Sequence, residues 1–142
     1  MNASTPRPRL ETTEEVMFFD TDCGGVVHNL AYLRWIETAR TRLAALMGMN
    51  VAAMASSGCY AVVVRTEADY KRPAVIGDHI HVEAELECLQ GVRFWCRFRV
   101  LRAGDGELLV TSRQQLALVQ MPQGKPTRLP REWQENYGKL KA

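Results

Sequence analysis

Two carboxylates and two glycines stand close together near residue 20. Asp20 and Asp22 lie two positions apart, and Gly24 and Gly25 follow them. A carboxylate can attack a carbonyl group as a nucleophile or activate a water molecule as a general base. Glycines let the chain turn sharply and let a ligand approach the backbone. The spacing therefore indicates either a site for attack on a carbonyl group or a surface turn that merely carries acids.

The turn leads into the one long helix that the sequence predicts. Apolar side chains recur at helical spacing from Leu30 to Met47, and Gly48 is suited to end the helix. Asn29 is a common N-cap type. Unpaired N–H groups at a helix N-terminus, together with the helix dipole, stabilise the negative charge that a carbonyl oxygen acquires during attack. We expect the donors of such a site near His28 and Asn29.

Strands are expected to position the turn and to cover the helix. A short apolar strand over residues 15–19 should run into the turn, and apolar and polar residues alternate over residues 60–70, 79–89, 92–101 and 108–119. Glycine-containing turns of the hairpin type join the later strands, which are therefore antiparallel. The sequence predicts an α+β fold with one helix against the sheet, and a short surface helix over residues 131–140. Because one helix covers one face, the other face or an edge is expected to meet a second subunit.

Length, charge and cysteine usage narrow the class of protein. The 142 residues fit one domain over residues 13–142 after a flexible leader over residues 1–12, where Pro6 and Pro8 disfavour regular structure. The net charge of +2 gives no reason to expect nucleic-acid binding. No apolar run reaches the roughly 20 residues of a membrane span, and the leader lacks the apolar segment of a secretory signal. The four cysteines form no CxxC pair, so we expect reduced thiols and a cytoplasmic location.

The stretch DTDCGGVVHNLAYLRWIETAR, from Asp20 to Arg40, closely resembles the signature of hotdog-fold acyl-CoA thioesterases. The similarity is greatest to the 4-hydroxybenzoyl-CoA thioesterase-like group, which includes the Tol–Pal-associated thioesterases. The segment DYKRPAVIGD, from Asp69 to Asp78, looks like the second signature of that group. This resemblance covers residues 13–120 approximately. It implies an α+β hotdog fold, in which an antiparallel five-stranded sheet wraps around one long central helix.

The resemblance also implies an activity and a set of site residues. The family hydrolyses acyl-CoA to the free acid and CoA, and its catalytic carboxylate maps to Asp22, as nucleophile or as general base. The thioester carbonyl would lie at the helix N-terminus, which makes His28 and Asn29 candidate catalytic residues. Tol–Pal-type members usually carry Tyr-His at these two positions, and a related branch carries Asn-Asn. Expected to bind the substrate are Gly25, Val26, Val27, Tyr32 and Arg72.

No metal and no redox cofactor is implied, since coenzyme A enters as part of the substrate. The family places its active site at a subunit interface, so a homodimer or a homotetramer is expected. An acyl carrier protein thioesterase is the alternative among enzymes, with an acyl carrier protein as partner. A non-catalytic acyl-CoA-binding hotdog protein is the alternative from another class.

Other polar residues have a structural explanation beside a functional one. Glu37 and Arg40 are three residues apart on the predicted helix and are expected to form an ion pair. His79 and His81 share one face of a strand, and without an evident third ligand we expect an exposed face rather than a metal site. Cations that could meet the phosphates of CoA, or else form a solvated basic face, are Lys71, Arg72, Arg93, Arg97 and Arg99.

Overall fold

The computed structural model describes residues 6–142, which form one antiparallel sheet and three helices. In chain order the elements are β1 (Arg9–Glu15), a 3-10 turn (Phe18–Asp20), α1 (Asn29–Leu46), α2 (Val51–Ser57), β2 (Cys59–Tyr70), β3 (His79–Gln90), β4 (Arg93–Arg102), β5 (Leu108–Gln120), β6 (Lys125–Pro126) and α3 (Arg131–Tyr137). The strand order is β1-β3-β4-β5-β2, and the two-residue β6 pairs with β5. The predicted five-stranded antiparallel arrangement on one long helix is confirmed, and β6 is a small addition to it.

Helix α1 forms where the apolar stripe predicted it and packs against β1, β3 and β4. Its buried face consists of Ala31, Tyr32, Trp35, Ile36, Ala39 and Leu43. Burying a large apolar side chain contributes about 1.5–3 kcal/mol, so this stripe is a main source of the attachment between helix and sheet. The chain leaves the helix at Gly48, whose φ of 91° is in the left-handed region that glycine adopts readily.

The two faces of the sheet differ sharply in polarity. The inner face, toward α1, carries the alternating residues predicted from the sequence, and those of β3 and β4 are all buried: Ile80, Val82, Ala84, Leu86, Phe94, Cys96, Phe98 and Val100. The outer face carries ion pairs between neighbouring strands. Arg97 Nε is 2.5 Å from Glu85 Oε1, and Arg99 Nη1 is 2.7 Å from Glu83 Oε1.

The first strand starts at Arg9 rather than at residue 15, and the prediction of a strand over residues 15–19 is wrong. β1 pairs with β3 from Arg9 to Glu15, so residues 9–12 of the expected flexible leader are part of the sheet. Residues 1–5 of that leader lie outside the described residues. The apolar run that suggested a strand instead includes the 3-10 turn, where Phe18 and Phe19 are 80% and 71% exposed. β1 is an edge strand, and edge strands commonly carry charged residues that discourage pairing with another chain.

The helices after α1 are short. α2 is two turns long and ends at Gly58, which has a φ of 72°. α3 is not only a surface helix, since Trp133 is buried and its indole N–H donates to Met47 O at 3.0 Å. Across residues 6–142, the helices lack the combination of length and apolar character that a membrane crossing requires.

Candidate functional site

The acid-bearing segment is a tight turn with Asp22 at its start. Asp22 N–H donates to Val26 O at 2.8 Å, and Gly25 N–H donates to Asp22 O at 3.1 Å. Gly25 has a φ of 81°, which explains the glycine at this position. The Asp22 side chain is exposed, and its Oδ1 accepts the Gly24 N–H at 2.8 Å. The second carboxylate oxygen therefore faces solvent or a ligand.

Asp20 differs from Asp22 in every respect. Its side chain is only 3% exposed. Oδ2 accepts the Met17 N–H at 2.9 Å, and Oδ1 accepts from Arg34 Nη2 at 2.5 Å. The backbone oxygen of Asp20 also accepts the His28 N–H at 2.9 Å, which closes the base of the turn. Asp20 is thus a buried acid with a donor at each carboxylate oxygen, whereas Asp22 is an exposed acid.

The N-terminus of α1 is capped by His28, and the prediction that Asn29 is the N-cap is wrong. His28 Nδ1 accepts the Ala31 N–H at 3.1 Å. The prediction that the His28 N–H is a free donor is also wrong, because it donates to the backbone oxygen of Asp20. Asn29 is the first helical residue. Within residues 6–142, no acceptor is found for the N–H groups of Asn29 and Leu30, as is usual in the first turn of a helix.

The second signature segment packs directly on the first. Val27 N–H donates to Ala74 O at 2.9 Å, and Ala74 N–H donates to the Tyr32 hydroxyl at 3.0 Å. Val26 and Val75 also form an antiparallel bridge. Both backbone groups of the fully buried Ala74 are therefore used to join the two segments. Two stretches that lie about 45 residues apart in the sequence consequently meet at the start of α1.

An open cavity of about 320 Å³ lies at this junction. It is lined by Val27, Asn29, Tyr32, Tyr70, Lys71, Arg72 and Pro73. Five of the residues predicted from the sequence therefore come together here: Val27, Asn29, Tyr32, Lys71 and Arg72. Asp22, Gly25, Val26 and His28 do not line the cavity within residues 6–142, and they form the turn and the cap beside it. The lining combines the buried side chains of Val27 and Tyr32 with the exposed cations Lys71 and Arg72.

Tyr32 places a hydroxyl against this cavity. Burial raises the pKa of the Tyr32 phenol, and the hydrogen bond from the Ala74 N–H opposes that rise. The ring is only 3% exposed and contacts the rings of Trp35 and Tyr70 edge to face, with centroids 5.3 and 5.8 Å apart. Its oxygen accepts from Ala74, which leaves its proton available to a ligand.

Arg72 lines the cavity with an exposed side chain, and its Nε is 3.4 Å from Glu107 Oε1. Glu37 and Arg40 form the predicted ion pair, and Arg40 Nη1 also donates to Gln114 Oε1 at 3.0 Å.

Three of the predicted phosphate contacts are on the outer face of the sheet. Arg97 and Arg99 are engaged there with acids of β3, and Arg93 Nη1 donates to Gln115 Oε1 at 3.2 Å. These arginines are therefore on the opposite side of the sheet from α1 and its cavity. His79 and His81 also lie on β3, and residues 6–142 contain no group of three or more side chains arranged to hold a metal ion.

Sequence reasoning missed Arg34 and Tyr70. Arg34 lies on α1 about one turn and a half after its start, beyond the first turn in which the helix dipole acts on a charge. No signal in the sequence therefore identifies its pair with Asp20. Tyr70 ends a strand beside the second signature segment, and nothing in the alternation of β2 distinguishes it from a surface residue.

Several known proteins that are similar to this chain in sequence and fold are named thioesterases. The chain matches the model of the thioesterase-like superfamily over residues 16–137. It is 30% identical over 127 residues to the acyl-CoA thioesterase YbgC of Haemophilus influenzae, covering 89% of this chain and 92% of that protein.

Solved structures agree with the sequence relatives. A protein of Bartonella henselae described as a probable thioesterase has a TM-score of 0.78 and 31% identity, over 86% of this chain and 99% of that one. The DHNA-CoA thioesterase of Staphylococcus aureus has a TM-score of 0.81 and 25% identity, over 90% and 87% of the two chains. The predicted hotdog fold and the prediction of a thioester hydrolase are thereby confirmed. The chain belongs to the thioesterase-like superfamily.

Proposed function

We propose that this protein hydrolyses acyl-CoA thioesters to the free acid and CoA. The observation that carries the proposal is the unpaired pair of N–H groups at Asn29 and Leu30, next to the cavity and to the turn with the exposed Asp22 carboxylate. Such donors stabilise the oxyanion that forms when a thioester carbonyl is attacked. The names of relatives, acyl-CoA thioesterase and DHNA-CoA thioesterase, support a CoA thioester as substrate.

In this mechanism Asp22 is the reacting carboxylate. As nucleophile, one oxygen adds to the thioester carbon and the carbon–sulfur bond breaks, which yields a mixed anhydride and the CoA thiolate. Water then cleaves the anhydride and restores the carboxylate. As general base, Asp22 instead takes a proton from the water that attacks the same carbon. In both cases the Asn29 N–H stabilises the negative carbonyl oxygen. His28 contributes by capping the helix and so holding the donors in place.

The cavity supplies sites for both parts of the substrate. Val27, Tyr32, Tyr70 and Pro73 provide apolar and aromatic contacts for the acyl group. Lys71 and Arg72 stand where the phosphates of CoA can pair with them. Gly25 and Val26 belong to the turn beside the cavity, and their contact with the substrate stays a prediction. No metal or redox group enters any step.

We also propose that the active form is a homodimer or a homotetramer, built by pairing of β2 edges. Within the described residues β2 pairs only with β5, which leaves its other side free over twelve residues. Val62, Val63 and Val64 on this edge are 39–44% exposed. A long apolar edge is a template for pairing with another strand. Tyr70 ends the same strand and lines the cavity, so a partner on this edge would stand beside the substrate. The cytoplasmic location remains a prediction.

Steady-state hydrolysis of a panel of acyl-CoA and acyl carrier protein thioesters tests the proposal. We expect turnover of CoA thioesters, and a loss of about 10²–10⁴ in kcat for Asp22→Asn, the range that general acid–base catalysis contributes. The matched control is Asp105→Asn in an exposed hairpin. Oδ1 of Asp105 accepts the Glu107 N–H at 3.0 Å, as Oδ1 of Asp22 accepts that of Gly24. Asparagine preserves the acceptor in both turns and removes the charge in both. Asp105→Asn also removes the surface ion pair between Asp105 Oδ2 and Arg102 Nη1 at 2.8 Å.

Three results would contradict parts of this proposal. Turnover of acyl carrier protein thioesters alone would show that the substrate is not a CoA thioester. Binding of acyl-CoA without any turnover would support the non-catalytic reading. Equal activity of Asp22→Asn and Asp105→Asn would remove Asp22 from the mechanism.

A further inference from the structure

We infer that Asp20 and Arg34 are a positioning pair, which holds the turn that carries Asp22 at a fixed place relative to α1. The inference rests on the catalytic role proposed for Asp22. It assigns to the first acid of the Asp20–Asp22 sequence a task different from that of the second. Asp20 touches no substrate in this view and acts through the geometry of its neighbour.

The environment of Asp20 is built for a charged group. Both carboxylate oxygens have donors, from the Met17 N–H at 2.9 Å and from Arg34 at 2.5 Å. Removing a carboxylate from water is costly unless it is paired and hydrogen-bonded, so this acid needs both donors. A surface turn requires no buried acid at its base. Asp22, two residues later, is exposed and has only the Gly24 N–H.

The contacts of Asp20 connect three parts of the chain. Its carboxylate accepts hydrogen bonds from the Met17 N–H, just before the 3-10 turn, and from the Arg34 side chain on α1. Its backbone oxygen receives the His28 N–H at 2.9 Å, at the point where α1 begins. Between Asp20 and His28 lies the Asp22 turn, whose far side Val26 and Val27 join to Val75 and Ala74. Asp20 fixes the turn at its base, where it meets α1.

Arg34 connects the turn to a part of α1 that is fixed in the core. The next two residues of α1, Trp35 and Ile36, are 1% and 0% exposed in the core, so this part of the helix cannot shift independently. The Arg34 side chain is 52% exposed, and a partly exposed ion pair adds little to stability because water screens it. Its geometric effect is larger. A misplacement of about 1 Å in a catalytic group can lower a rate by about 100-fold.

The test is a series of Arg34 variants assayed for acyl-CoA hydrolysis. We expect Arg34→Met to lower kcat by about 10-fold or more, within the range for misplaced catalytic groups, while KM stays within about twofold. Arg34→Lys should recover most of kcat, because a single ammonium can reach one carboxylate oxygen. The control is Arg42→Met on the same helix, an exposed arginine without a salt bridge in the described part of the chain. Thermal unfolding of each variant measures the folded fraction.

Equal kcat values for Arg34→Met and Arg42→Met in folded protein would overturn the inference. So would a loss of activity that appears in KM alone. If Arg34→Met does not fold, the assay uses Asp20→Glu instead. This variant keeps the negative charge, and its side chain is one methylene longer, so the ion pair with Arg34 holds the turn at a different distance. A wild-type kcat in Asp20→Glu would also overturn the pair's role. Wild-type activity in Asp22→Asn would instead refute the catalytic role of Asp22, and a wild-type protein without any turnover would refute the proposed function, whatever Arg34 does.

Discussion

Replacing Tyr32 by phenylalanine removes one hydroxyl at the place where the two signature segments meet. The ring contacts with Trp35 and Tyr70 survive, because phenylalanine has the same shape. The Ala74 N–H, which donates to Tyr32 at 3.0 Å, loses its acceptor in a residue with 0% exposure. A buried donor left without a partner costs about 1–3 kcal/mol. For a chain of this size that corresponds to a fall in Tm of roughly 2–10 °C.

The pH dependence of the same variant gives a second readout. Burial raises the pKa of the Tyr32 phenol above its usual value of 10.0. The folded state therefore binds the phenolic proton more tightly than the unfolded state does. The resulting stabilisation is complete below pH 10 and is lost as the pH rises through the folded-state pKa. Tyr32→Phe should lack this alkaline loss, so the gap between variant and wild type should narrow above pH 10.

Urea unfolding at pH 7 and at pH 10.5 measures both effects. The control is Tyr60→Phe on β2, since the described residues provide no hydrogen-bond partner for the Tyr60 hydroxyl. We expect Tyr60→Phe to stay within about 0.5 kcal/mol of wild type at pH 7, as surface substitutions do. If Tyr32→Phe is equally neutral, the Tyr32–Ala74 hydrogen bond does not join the two segments in the way described.

Two further predictions concern the thiols and the edge strand. At pH 8 a thiol reagent should modify the exposed Cys23 rapidly and Cys96 only after denaturation. Cys96 is 1% exposed, and burial raises the pKa of its thiol to about 12. Mass spectrometry measures the labelling, and rapid labelling of Cys96 in native protein would contradict its burial. Val64→Lys on the β2 edge should shift the protein from dimer or tetramer to monomer in analytical ultracentrifugation and lower its activity, whereas Val92→Lys in a hairpin turn should not. A wild-type monomer at micromolar concentration would refute the edge pairing.

The regular elements could be predicted because their apolar residues repeat with a clear period. α1 and the inner residues of β3 and β4 have such repeats, and the structure agrees with the prediction there. β1 has Leu10 as its single large apolar residue, so its pattern is weak. The neighbouring run from Val16 to Phe19 is more apolar, yet a turn forms there because the Asp20 carboxylate binds the Met17 N–H. Local hydrogen bonding, rather than hydrophobicity, decides that segment.

The sequence predicts residues for the candidate site, which stay predictions, and it does not predict their contacts. Propensity favours asparagine as an N-cap, but the chain uses His28, because the Asp20 oxygen binds the His28 N–H and fixes its backbone before the helix. The junction through Ala74 involves backbone groups, which no side-chain pattern reveals. Distances across the fold, such as that between Arg34 and Asp20, depend on how α1 is oriented on the sheet.

Gly24 offers a way to adjust the reactive acid without replacing it. A methyl group on Gly24 would stand 3.2 Å from Asp22 Oδ1, and the backbone there does not require glycine through a positive φ. The smallest side chain would therefore push the carboxylate by a few tenths of an ångström and leave the turn intact. A residue without a functional group, Gly24, can thus determine where the carboxylate of Asp22 lies. Related sequences could diverge in rate or substrate preference by changing this residue alone, while the acid, the helix start and the cavity stay the same.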